Sequence, residues 1–188
     1  MTDSLTSFLR TNTQLNEDEL NEVLQYFKPR SYKKNSIIIF KGDDCDQLYF
    51  VVKGCIRTYY LAANSAEKTR YIAFNGSMGT ALSSFIDQTP SIEYVDALDN
   101  TELLSINRKH FFMLVAQMPE WAAFYIRFLQ SAYVQQANRI AQIVSLTATE
   151  RYQNLLANKP YYVNRLSNKV LASYLDIAQE TLSRLKSK

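Results

Sequence analysis

Between Arg30 and Asn107 the chain runs in short blocks of Tyr, Ile, Val and Phe separated by turn residues, while on both sides apolar residues recur every three or four positions. Blocks at Ser36–Phe40, Gln47–Val52, Cys55–Leu61, Lys68–Phe74, Ile92–Leu98 and Glu102–Ile106 have the length and spacing of strands in an antiparallel sandwich or barrel. Turn chemistry closes them at Lys41-Gly42-Asp43-Asp44, at Lys53-Gly54 and over Ala62–Glu67. All four glycines, Gly42, Gly54, Gly76 and Gly79, fall in this stretch, where tight turns call for positive φ. The expectation is an α+β chain with an antiparallel β-roll flanked by helices.

Residues 3–27 predict helix. Leu5, Phe8 and Leu9 open an apolar face, Asn16–Glu19 starts a second helix carrying Leu20, Val23, Leu24 and Phe27, and Pro29 ends it. Residues 108–145 return to the helical period, with Pro119 suited to a first turn. Trp121, Phe124, Tyr125, Phe128, Leu129, Ala132, Tyr133, Ile140, Ile143 and Val144 then recur at spacings of three and four. A helix over 119–145 is about 40 Å long at 1.5 Å per residue, more than a small roll can cover. The remaining apolar stripe needs a partner, and a second copy of the same helix is the simplest.

Thr147-Ala148-Thr149-Glu150 is a capping box for a helix reaching about Ala157, stopped by Asn158-Lys159-Pro160. Tyr161–Arg165 reads as a short extended piece, followed by short helices over Ser167–Leu175 and Gln179–Lys186. With Asn168 as position one, Leu171, Ala172, Leu175, Ile177, Leu182 and Leu185 fall at positions 4, 5, 8, 10, 15 and 18. Those are the inward positions of a helix-turn-helix, with small Ala172 where two backbones approach. Gln179, Glu180, Thr181, Ser183, Arg184 and Lys186 are left outward, side chains of the kind that read base edges in a major groove. Asp176 holds the turn position that usually takes Gly, and Asp tolerates the left-handed region better than most residues.

Charge points to the same end. The chain carries 21 Lys+Arg against 18 Asp+Glu. Arg165, Lys169, Arg184, Lys186 and Lys188 against Asp176 and Glu180 give the last 24 residues a net +3, which leaves the first 164 neutral. A neutral body with a basic end fits contact with a polyanion. The 47% hydrophobic and 21% charged content excludes intrinsic disorder. No apolar run is long enough for a membrane span, and MTDSLTSFLR lacks the pattern of a signal peptide, so a cytoplasmic protein without membrane contact is expected.

The sequence resembles Crp/Fnr-type transcriptional regulators, in the short Bacteroidetes-like form. The resemblance rests on QLYFVVKGCIRTYYL, PSIEYVDALDNTELLSI, ATERYQNLL and LASYLDIAQETLSRLKSK, and covers nearly the whole chain. It implies a cyclic-nucleotide-binding-domain-like roll with flanking helices over 1–118, a dimerisation helix over 119–145 and a helix-turn-helix DNA-binding domain over 146–188. The helix-turn-helix is expected without a complete wing, since the sequence stops just after the recognition helix. By the family's pattern Gln179, Glu180 and Arg184 touch bases, and Ser167 and Lys169 lie near backbone phosphates. The implied partners are double-stranded DNA with an inverted-repeat operator, a second copy of the chain, and RNA polymerase.

Members that bind cAMP carry Gly-Glu, then Arg-Ser about ten residues later, with the Glu on the ribose and the Arg on the phosphate. Here Gly79 and Ser91 are kept, but Thr80 stands for the Glu and Pro90 for the Arg. A buried cyclic phosphate would lack its counter-charge, so cAMP is not expected and the effector is unknown. Cys45 and Cys55 are too few for an iron–sulfur cluster and read as packed thiols. His110, the single histidine, reads as a boundary residue rather than a haem ligand, and leaves no metal cluster and no catalytic triad. Phe124, Tyr125 and Phe128 either line an apolar effector pocket or fill it, and filling is the simpler reading. No cofactor and no enzymatic activity are expected. A cupin-like enzyme lacks its ligands. A roll that senses a small molecule and acts through protein contacts is the alternative to DNA binding.

Overall fold

The computed structural model describes residues 2–187. Met1 and Lys188, the outer limits of the expected first and last domains, lie outside the described residues, and so does the charge counted at Lys188. The described residues form two compact units, one built from the chain up to Tyr60 with Tyr71–Phe128, the other from Leu61–Arg70 with the chain from Leu129 onward.

The first unit begins with α1 (Thr2–Asn12) and α2 (Glu17–Gln25). Asn16 Oδ1 accepts from the Glu19 N–H at 3.0 Å and the Glu19 carboxylate accepts from the Asn16 N–H at 2.9 Å, a reciprocal cap that fixes the start of α2. Eight strands follow: β1 (Lys28–Tyr32), β2 (Ile37–Ile39), β3 (Gln47–Lys53), β4 (Cys55–Leu61), β5 (Glu67–Phe74), β6 (Met78–Gly79), β7 (Tyr94–Ala97) and β8 (Thr101–Asn107). They make two four-stranded sheets, ordered β1-β8-β3-β6 and β2-β7-β4-β5. The pairs β1–β8, β3–β8, β3–β6, β2–β7 and β4–β7 are antiparallel. The chain is therefore α+β, with the expected antiparallel roll.

Several details differ from the sequence reading. Pro29 ends no helix; it lies inside β1, paired with Leu104 at the sheet edge, where a missing N–H is tolerated. β1, the two-residue β6 and the short helix α3 (Leu82–Asp87) were not among the expected elements. Gly42, Gly54 and Gly76 have positive φ, but Gly79 does not. Gly79 is small for packing instead, because a Cβ there would meet Ala73 Cβ and Ile56 Cδ1 at 3.1 Å. At Gly54 both reasons coincide, φ of +98° and the backbone Cα of Thr101 at 2.9 Å from a would-be Cβ.

The core of this unit is closed by α4 (Arg108–Gln117) and the start of α5 (Pro119–Ser145). Trp121 and Phe124 are buried, and Phe111 and Phe8 meet them edge-on at 5.4 and 6.1 Å between centroids. His110 meets Tyr26 in a tilted ring contact at 4.7 Å, and Cys45 and Cys55 are buried. Among the described residues no helix is long and apolar enough to cross a membrane.

The second unit contains the rest of α5 with α6 (Ala148–Asn158), α7 (Pro160–Arg165), α8 (Asn168–Leu175) and α9 (Gln179–Lys186). Thr147 and Glu150 form the predicted capping box, and the Thr147 N–H, with its hydroxyl, holds the Glu150 carboxyl below its ordinary pKa. Tyr161–Arg165 is helical, not extended. Pro160 occupies the first position of α7, where its fixed φ is already helical, and Tyr162 turns inward against the Tyr174 ring at 5.0 Å.

Candidate nucleic-acid interface and effector pocket

The helix-turn-helix is set by local chemistry. Ser167 accepts from the Val170 N–H at 3.3 Å and starts α8. Leu171, Ala172, Leu175 and Leu182 are buried, and Ile177 and Leu185 are half-buried, so all six inward positions point inward. Asp176 takes the left-handed conformation with φ of 55°, and the Ile177 N–H reaches the Ala172 carbonyl at 3.0 Å. Arg151 of α6 completes the corner. Its guanidinium donates to the carbonyls of Leu146, Leu175 and Asp176 at 2.6, 2.9 and 3.3 Å, satisfying helix-end acceptors that would otherwise need water. No sequence signal marks Arg151, which sits mid-helix and acts across 24 residues of chain.

Gln179, Glu180, Ser183, Arg184 and Lys186 are exposed along α9, and Thr181 is half-buried. Lys186 Nζ donates to Asn168 Oδ1 at 2.7 Å, bridging the two helices. The two residues expected near phosphates have other contacts here. Ser167 is the cap of α8. Lys169 is paired with Glu67 at 2.5 Å, the first residue of β5 and part of the Leu61–Arg70 segment of the second unit. In the same segment Lys68 pairs with Asp176, and Ser173 Oγ donates to the Glu67 carbonyl at 2.7 Å and accepts from the Thr69 N–H at 2.9 Å. Arg139 of α5 donates to the Thr69 carbonyl at 2.6 Å and stacks over Tyr174 at 4.4 Å; burial pulls its pKa below the ordinary value.

The four cassette residues do not converge. Thr80 is buried, donates to the Gln47 carbonyl at 2.7 Å and meets Cys45 Sγ at 2.9 Å, while burial pushes the Cys45 thiol up. Ser91 is buried and closes on Glu93, donating to its carbonyl at 2.8 Å and accepting from its N–H at 3.1 Å. Pro90 is exposed, and Gly79 is packed against Ala73 and Ile56. Trp121 and Phe124 are buried in the core, with Tyr125 and Phe128 half-buried against it; Leu129 and Ala132 are half-buried farther along α5. A buried ion pair that sequence reading did not identify lies between β4 and β7. Arg57 holds Asp96 through two bonds, Nε to Oδ1 at 3.0 Å and Nη2 to Oδ2 at 2.5 Å, and covers the Tyr59 ring at 4.1 Å. Arg57 and Asp96 face each other in the β4–β7 register, a pairing that sequence spacing does not reveal.

Residues 29–118 match the family described as Cyclic nucleotide-binding domain. The chain is 27% identical over 102 residues to the Cyclic AMP receptor protein of Thermus thermophilus, covering 54% of this chain and 47% of that protein, so it spans about half that relative's length. It is 22% identical over 179 residues to the Transcriptional activator protein Anr of Pseudomonas protegens, covering 89% of this chain and 72% of that one. The structure of FixK2 from Bradyrhizobium japonicum has the same fold, with a TM-score of 0.76 at 17% identity over 86% of this chain and 83% of that one.

The Arg57–Asp96 pair yields a stability test. Arg57→Met leaves a buried carboxylate without its counter-charge and is expected to cost about 3–5 kcal/mol. Adding Asp96→Leu removes that carboxylate and should recover most of the loss. Urea unfolding of both variants measures this, and a loss below about 1 kcal/mol for the single change would show that the pair behaves like an exposed one.

Proposed function

We propose that this Crp/Fnr-type chain, whose residues 29–118 belong to the cyclic nucleotide-binding domain family, works as a dimeric, sequence-specific DNA-binding regulator of transcription. The observation that carries the reading is the helix pair α8–α9, with its six inward positions packed and Gln179, Glu180, Ser183 and Arg184 exposed together on α9. A short helix with amide, carboxylate and guanidinium groups on one face can enter a major groove and hydrogen-bond base edges. Lys169, at the start of α8, is the group assigned to a backbone phosphate. The name of Anr, a transcriptional activator protein, supports the same reading.

Dimerisation is supported by α5. Beyond its buried first turns, Tyr133, Ile140 and Val144 are 76%, 62% and 80% exposed. Ile126, Tyr133 and Ile140 stand seven apart, the repeat of a two-stranded seam. Effector binding differs from that of cAMP-binding members. With Pro90 on the surface and Thr80 and Ser91 engaged in local hydrogen bonds, the cassette has no cation to offer a cyclic phosphate.

Three measurements follow from this reading. Binding-site selection from a random duplex pool should return an inverted repeat with half-sites about 34 Å apart. Arg184→Ala should lose about 1–3 kcal/mol per half-site and relax one base position; an unchanged motif would remove α9 from base readout. Tyr133→Glu with Ile140→Glu should give monomers in sedimentation without loss of fold, and an unchanged mass would place the dimer surface elsewhere. Phe128 is a poor probe of this surface, because it packs against the core. Millimolar cAMP should leave the melting temperature unmoved. A ligand at 100 times its dissociation constant would add about 2.7 kcal/mol, so a clear upward shift would mean that another group replaces the missing Arg.

A further inference from the structure

Three consecutive residues where the β4–β5 connection enters β5, Glu67, Lys68 and Thr69, grip Lys169 and Ser173 on one face of α8 and Asp176 just past its end. The spacing of four puts Lys169 and Ser173 on a single helix side, and the left-handed Asp176 follows at the helix end. The charges alternate and match, with the carboxylate of Glu67 on Lys169 and the ammonium of Lys68 on Asp176. Between them the Ser173 hydroxyl takes the Thr69 N–H and gives its own proton to the Glu67 carbonyl, in the place of a neighbouring strand. β5 stands at the edge of its sheet, so these groups have no further strand to pair with.

We propose that this connection is an autoinhibitory latch, in which Glu67 occupies Lys169 and competes with the DNA backbone for it. The proposal rests on the assignment of Lys169 to a phosphate. With the latch closed the ammonium is already paired, and a carboxylate stands beside the position a phosphate must take. DNA then has to displace Glu67 before it gains the contact. The contest is balanced. The Lys169 side chain is 61% exposed, and exposed pairs of this kind are worth no more than about fivefold in an equilibrium. A latch of that strength lowers affinity without abolishing it. The Ser173 hydrogen bonds are half-buried and neutral, so they keep the connection in register on α8 when salt weakens the two ion pairs. Because Glu67 is the first residue of β5, a change in the course of that strand alters the access of DNA to Lys169.

The test is a double-mutant cycle with Glu67→Gln and Lys169→Gln in the full chain. The probe is a mixed-sequence duplex of about three helical turns, titrated over a salt series, since phosphate contacts act on any sequence. Glu67→Gln is isosteric and leaves its main-chain carbonyl free to accept from Ser173. The expected result is two- to fivefold tighter binding for Glu67→Gln, and no gain from it when Lys169 is already Gln. An equal gain in both backgrounds would be a general charge effect and would overturn the latch. So would unchanged or weaker binding by Glu67→Gln while Lys169→Gln weakens binding and lowers the salt slope, an outcome that leaves the phosphate assignment standing. If Lys169→Gln changes neither affinity nor slope, the phosphate assignment fails and the latch with it.

Discussion

The burial of Trp121 and Phe124 at the start of α5 is the constraint from which the rest follows. These two rings close the core of the roll unit against Phe111 and Phe8, and in doing so they fix the direction of a 27-residue helix within its first two turns. The cost is visible: Trp121 Nε1 is buried with no hydrogen-bond partner among the described residues, a penalty on the order of 1–3 kcal/mol that the aromatic packing around it offsets. Once those turns are anchored, the helix continues with Tyr133, Ile140 and Val144 in solvent. An exposed seam of this length is expensive for a protein that stays alone, which is why the same helix serves as the argument for a second copy.

The elements legible in the sequence are those whose signal is local. β4 covers Cys55–Leu61, α5 runs from Pro119 to Ser145, and α9 covers Gln179–Lys186, all as the sequence pattern predicts. The missed elements depend on partners far away in the chain. Lys-Pro-Arg-Ser-Tyr is almost wholly exposed and has no alternation to recognise; it is a strand because β8 offers it a row of backbone groups. Met78–Gly79 is a strand for two residues, and only through its pairing with Tyr49 and Phe50. Pro160–Arg165 misleads for the opposite reason. Its tyrosines and valine favour extended chain, but proline at the first helical position and the inward turn of Tyr162 decide for helix.

The candidate site divides along the same line. Six inward positions at fixed offsets are a local pattern, and each side chain lands where the offsets put it. The left-handed Asp176 was legible too, because the turn leaves that residue few other conformations. What could not be read was the environment of the polar groups. The pairing of Lys169 with Glu67 spans 102 residues and the capping of the α8 end by Arg151 spans 24, distances over which sequence spacing carries no geometric information. Pro90 has no donor to offer an anion, which the sequence already contains. Its exposure adds that the loop does not direct it into a pocket at all.

Charge counting therefore measures less than it promises. The net +3 of the last 24 residues treats every cation as available to a polyanion. In the folded second unit Lys169 faces a carboxylate brought by the β4–β5 connection, and Lys186 holds Asn168 across the two helices. The same connection contributes a lysine, Lys68, whose charge is spent on Asp176. Arg184 of α9, by contrast, is exposed. Attraction to DNA at long range depends on the sum, which the sequence contains. Contact at short range depends on which cations are free of their neighbours, which only the fold decides. The two quantities are fixed at different levels, the net charge by the sequence and the availability of each cation by the fold.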